Sequence, residues 1–188
     1  MNITFFASLS PLIRQCQAGD PRALEELVTT HWPGVQWLAL SLLDDPAEAD
    51  DAAQDSLIRA IASLPTFRGD SAFTTWLYAI TLNVCRSRLR QRRSRERFTR
   101  LLALFGAGQP TPQTEDLALD NAAEANIARA IQTLNYPLRE AIVLRYYHEL
   151  PIADIARIAG VSELTIHTRL SAAHARLKVL LKDQVNFP

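Results

Sequence analysis

The sequence predicts an all-α protein, built as two small helical domains joined by a flexible linker. Three observations carry this. Apolar residues recur three and four apart through almost every regular segment, and no stretch alternates apolar and polar residues as a half-buried strand would. Ser-Pro, Asp-Pro and Gly residues punctuate the chain where helices should start and stop. Between Phe98 and Asp120 this pattern fails: Gly106, Gly108, Pro110 and Pro112 break regular structure and polar residues dilute the apolar ones. The domains are therefore placed at 1–97 and 122–188, with a linker at 98–121. A length of 188 residues with 48% hydrophobic content is enough for two such cores.

Each element has a local reason. Ser10-Pro11 opens a short helix through Leu12 and Ile13, with Ser as cap, Pro in the first turn and Gly19 as the stop. Asp20-Pro21 repeats that opening. Leu24, Leu27, Val28 and His31 mark the inner side of the next helix, and Val35, Leu38 and Leu42 continue it beyond Pro33, which should kink or interrupt it near Thr30. Asp45-Pro46 starts a third helix with Ala49, Ala52, Ala53, Leu57 and Ile61 inward, closed by Leu64-Pro65. After the linker, Ile127, Ala130, Ile131 and Leu134 mark one helix. Tyr136-Pro137 ends it and begins another, with Leu138, Ile142, Val143 and Tyr146 inward. From Ile152 to Leu170 the offsets match a helix-turn-helix: a short helix to Ala159, small Ala156 at the crossing, Gly160 for a left-handed turn, Val161 in the corner, and Ser162 capping a second helix with Ile166 and Leu170 buried.

The long helix between the third helix and the linker has the most distinctive composition. The loop Phe67-Arg68-Gly69-Asp70-Ser71 gains backbone freedom from Gly69, and Ser71 can cap the helix after it. Phe73, Trp76, Leu77, Ile80 and Val84 then form a buried stripe. The far end carries Arg86, Arg88, Arg90, Arg92 and Arg93, with Arg95, Arg97 and Arg100 beyond and only Glu96 among them. Such a run repels itself unless a polyanion meets it, so nucleic acid is the expected partner. Net charge is nonetheless zero, because Asp44, Asp45, Glu48, Asp50, Asp51 and Asp55 crowd an acidic stretch. Two segments of opposite sign suggest two kinds of partner.

Other classes are disfavoured. Cys16 and Cys85 are too few for a metal site or disulfide framework and read as small apolar residues. His31, His148, His167 and His174 lack metal-ligand spacing, apart from the two turns between the last pair, so neither metal nor cofactor is expected. No nucleophile with its base, no acid–base pair and no phosphate-cradling loop stands out, so no catalysis is expected. No apolar run reaches the ~18 residues of a membrane helix. The opening MNITFFASLS lacks a basic leader, so a cytoplasmic location without membrane insertion is expected.

At this point the chain resembles the extracytoplasmic-function group of bacterial sigma factors, within the sigma-70 family. Leu12-Ile13-Arg14 through Gln17-Ala18-Gly19-Asp20, with Leu24-Glu25-Glu26-Leu27-Val28, is similar to the start of sigma region 2. Asp50-Asp51-Ala52-Ala53-Gln54-Asp55 is similar to its polymerase-docking segment. Phe67-Arg68-Gly69 with Phe73, Thr75-Trp76-Leu77 and Asn83 resembles its promoter-melting part, and Leu138-Arg139-Glu140 to Leu177 resembles region 4.

The resemblance implies a sigma region 2 helical bundle and a sigma region 4 helix-turn-helix. It also implies a division of labour. Asp50, Asp51, Gln54 and Asp55 would meet the clamp helices of core RNA polymerase, whose flap would hold the second domain. The loop of Phe67, Arg68, Gly69, Asp70 and Ser71 would accept a base flipped from the minus-ten element, with Trp76, Asn83 and Arg86 near the DNA. Thr165, His167, Thr168 and Arg169 would meet the minus-thirty-five element. An anti-sigma factor is a further implied partner.

The sequence departs from the family pattern in places. Ala52 and Ala53 stand where larger apolar residues are usual, which would thin the clamp contact. His167, Ala172 and His174 stand where basic residues are common, and Leu164 replaces a glycine. Trp76 fits the core stripe as well as it fits DNA contact. Two other readings remain open on residues alone: a stand-alone helix-turn-helix regulator, or a degenerate sigma-like protein that only binds polymerase or an anti-sigma factor.

Overall fold

A computed structural model describes residues 10–104 and 122–182. They form α1 (Pro11–Gln17), α2 (Pro21–Leu42), α3 (Pro46–Ser63), α4 (Phe73–Leu104), α5 (Ala122–Gln132), α6 (Tyr136–Ile142), α7 (Ile152–Ala159) and α8 (Glu163–Lys182), with no strand among the described residues. The residues read as a signal-free start, and those at 105–121 within the linker, lie outside this set.

Most start signals act as expected. The Ser10 hydroxyl accepts from the Ile13 amide, and the Asp20 carboxylate from Arg22. Asp45 takes both the Ala47 and Glu48 amides, and Asn135 takes that of Leu138. Gly19 and Gly160 sit at positive φ, +83° and +68°, where they end their helices. Three expectations need correction. Pro33 lies inside an unbroken α2 and does not interrupt it; packing on α3 and α4 holds the turn that lost its amide donor. α4 runs on to Leu104. Ile127 and Tyr146 are exposed instead of inward. A π-helical turn at Val143–Tyr147 follows α6 and shifts the phase of the helical face, so Tyr146 leaves the core side.

In the first domain α2, α3 and α4 pack together, with α1 against α2 and the 3-10 turn at Leu64–Thr66. In the second, α6 and α7 pack on α8, and α5 closes its far side. The domains do not stand apart. Leu38, Leu42, Leu82 and Cys85 of the first share one buried cluster with Leu138, Ile142, Ile155 and Ile166 of the second. Polar bridges reinforce that seam: Arg139 binds Asp44 at 2.5 Å, and the Thr75 hydroxyl donates to Asp154 at 3.3 Å. Trp37 of α2 stacks parallel to Tyr147, and His148 fills the corner between Trp37 and Tyr78.

Candidate nucleic-acid interface

The loop before α4 is held from below. The Gln17 side-chain amide donates to the carbonyls of both Leu64 and Phe67, at 2.9 and 3.0 Å, fixing the point where the chain leaves α3. Phe67 is 7% exposed and packs on Phe73 and Trp76, so it belongs to the core under the loop. Gly69 takes φ +78°, turning the chain back and leaving Arg68 and Asp70 exposed, with Ser71 half-buried. α4 starts two residues after Ser71, and no Ser71 cap bond is seen. A shelf of Arg68, Gly69 and Asp70 over a rigid aromatic floor can receive an unstacked base. Trp76 is half-buried within that floor, between Phe67 and Phe73. Gln17 was not legible as a loop-positioning residue, because its partners lie 47 and 50 residues away.

The arginine run of α4 is not a uniform cationic face. α3 and α4 lie side by side, so the acidic stretch meets the basic one. Arg88 pairs with Asp55 at 2.6 Å and approaches Asp51 at 3.8 Å; Arg92 lies 3.9 Å from Asp44 and 3.8 Å from Glu48. The expectation of two separate faces of opposite sign is thus corrected. The side of α3 turned outward carries Asp50, Asp51, Gln54 and Ile58, the last 65% exposed, while Asp55 is engaged with Arg88. Ala52 and Ala53 are fully buried, so these small residues reflect tight helix packing and do not thin the outer face.

Asn83 is exposed on α4, but Arg86 turns toward the second domain, where it forms a short ion pair with Glu140. Glu140 is 2% exposed, and Arg169 of α8 approaches its other oxygen at 3.8 Å. Burial pushes the Glu140 carboxyl upward, and the two guanidiniums pull it back. One carboxylate thus holds an arginine expected at the minus-ten element and another expected at the minus-thirty-five element. His167 and Thr168 are exposed on α8, Thr168 donating to the Leu164 carbonyl. Thr165 is half-buried, its amide donating to the Ser162 cap. The four residues expected to read DNA therefore divide, with Arg169 held inward. Burial also lowers His148 to about 4. No cluster of potential metal ligands occurs among the described residues, and no described helix is long and apolar enough to cross a membrane.

Family models locate the same two units: sigma-70 region 2 matches residues 27–95, and sigma-70 region 4 matches 124–177. The RNA polymerase sigma-H factor of Pseudomonas aeruginosa is 33% identical over 178 residues, spanning 91% of this chain and 92% of that protein. The chain belongs to the extracytoplasmic-function group of the sigma-70 family. The ECF sigma factor SigM of Mycobacterium tuberculosis is likewise 33% identical, over 87% of this chain and 80% of its own length. Among solved structures, RpoE from Bartonella quintana, in complex with the anti-sigma factor NepR, matches with TM-score 0.68 and 28% identity, covering 84% of this chain and 96% of that one. CnrH, in complex with the cytosolic domain of CnrY, gives 0.67 and 27%, covering 93% and 97%. This sigma factor accordingly directs transcription initiation by RNA polymerase.

Proposed function

We propose that this sigma factor docks on the clamp helices of core polymerase through the outer side of α3. Asp50, Asp51 and Gln54 supply the polar contact, Asp55 borders it, and exposed Ile58 adds an apolar anchor that its spacing alone did not reveal. The loop of Arg68, Gly69, Asp70 and Ser71 receives a flipped minus-ten base above the Phe67 floor, and Asn83 and Arg86 steady the strand. His167, Thr168, Arg169 and Thr165 meet the minus-thirty-five element, and Leu164, 75% exposed, offers an apolar contact to a thymine methyl. The observation that carries this reading is the rigid seating of an exposed glycine loop at the head of a cationic helix.

The packed domains add a condition. Arg86 and Arg169 cannot reach DNA while both are engaged by Glu140, so the seam must part before promoter contact. Clamp docking on one domain and flap binding of the other would separate them, with residues 98–121 as the tether between the functional units 1–97 and 122–188. An anti-sigma factor is a further proposed partner, since solved relatives are complexes of this kind. The protein works by binding in the cytoplasm and has no chemical step of its own.

Run-off transcription tests the proposal. Core polymerase plus this chain should initiate from a promoter that core alone ignores. Duplex binding without polymerase would favour a stand-alone regulator, and polymerase binding without transcripts a degenerate sigma protein.

A further inference from the structure

The seam between the domains contains a cleft of about 360 Å³ that promoter recognition does not explain. Arg86, Arg90 and Arg93 line one wall from α4, at helical spacing that puts them on one face, and Arg169 lines the other from α8. Tyr136 and Pro137 contribute to the remaining lining. Four guanidiniums here oppose one carboxylate, Glu140, which is already engaged by Arg86 and Arg169. Arg90 and Arg93 are exposed and have no ion pair among the described residues. The buried Tyr136 hydroxyl lies against the Arg86 guanidinium, an O–H that can turn toward an anion in the cleft.

We propose that this cleft binds a small polyphosphate, a di- or triphosphate chain either free or carried on a nucleoside, which ties the two domains together. Guanidinium forks match phosphate oxygens two at a time, and an excess of three positive charges calls for a multivalent anion. A ligand touching Arg90 and Arg93 on one wall and Arg169 on the other stabilises only the closed arrangement, so it acts by its differential affinity for that state. A duplex cannot enter so small a cleft, and the same arginines are needed once the domains part. The ligand therefore opposes promoter binding. Binding itself stands on the cleft alone; its effect on initiation rests on the sites proposed above.

The experiment titrates the full chain by calorimetry at fixed ionic strength with sodium tripolyphosphate, ATP, GTP and, as control, sulfate. The expected result is saturable one-to-one binding of tripolyphosphate or a nucleotide, far tighter than sulfate. Arg90→Gln with Arg93→Gln should weaken it at least about tenfold, a change of about 1.4 kcal/mol, while Arg59→Gln on α3 leaves it unchanged. Tripolyphosphate binding as tightly as ATP and GTP assigns the site to the bare phosphate chain; tighter nucleotide binding assigns it to a nucleoside carrier. Absent saturation, undiminished binding to the double variant, or an equal loss in the Arg59 variant overturns the proposal. Run-off transcription is scored separately, so a chain that initiates but binds no polyphosphate refutes only this inference.

Discussion

Replacing Glu140 with Gln should loosen the seam between the domains without unfolding either. The carboxylate is 2% exposed and is shared by Arg86 and Arg169, each about a quarter or less exposed. The amide keeps the shape and one acceptor but loses the charge. A hydrogen bond to a charged group is worth about 1.5–3 kcal/mol against about 1 kcal/mol for a neutral one. Relief of the burial cost on Glu140, which outweighs the pull of the two guanidiniums on its carboxyl, offsets that loss, so the net opening comes from the arginines left facing each other without a counter-charge. A net of about 1–1.5 kcal/mol toward opening is expected, roughly a five- to tenfold shift in the open-to-closed ratio. Cys85 offers a direct readout: it is fully buried in the cluster both domains share, and burial pushes its thiol up to about 12. Its labelling by a maleimide follows the opening equilibrium. Cys16, buried in a separate cluster with Ile13, Leu27 and Phe67, is an internal control. Cys85 should label roughly five to ten times faster in the variant, and Cys16 at its original rate. An unchanged Cys85 rate, or equal acceleration of both thiols, would refute the latch.

Three further outcomes are expected. Stability should fall as pH drops from about 6.5 toward about 4, because the unfolded chain protonates His148 at its ordinary value while the folded chain resists until about 4; the full effect is roughly 3 kcal/mol. Glu140 works in the opposite direction, since its raised carboxyl takes up a proton first in the folded state; urea denaturation of His148→Gln across this range should show the acid loss removed. Gln54→Ala combined with Ile58→Ala should cut co-purification with core polymerase severalfold at unchanged melting temperature, since both side chains are exposed; undiminished recovery would remove the α3 docking face. Gly160→Ala should cost roughly 1–2 kcal/mol from backbone strain alone. The added methyl meets nothing within 4 Å and φ is +68°, so thermal melting that showed stabilisation would contradict the left-handed turn.

Composition and local order alone set much of this protein. Helix starts at Ser10, Asp20, Asp45 and Asn135 are chemical facts about side chains and the next few amides, so they are readable without a fold. The Gly160 corner, the buried stripe of α4 and the glycine loop at its head are equally local. Pairings between distant elements decided the rest. Helix α3 lies against α4, and only that placement reveals that Arg88 and Arg92 face carboxylates while Arg90 and Arg93 do not. The π turn after α6 moves Tyr146 out of the face its spacing suggests. Glu140 reads in sequence as one more helical carboxylate; it becomes the meeting point of Arg86 and Arg169 because α6 packs on α8 and its side chain reaches across to α4. Periodicity tells which side of a helix is buried, whereas long-range Coulomb and packing forces choose what is buried against it.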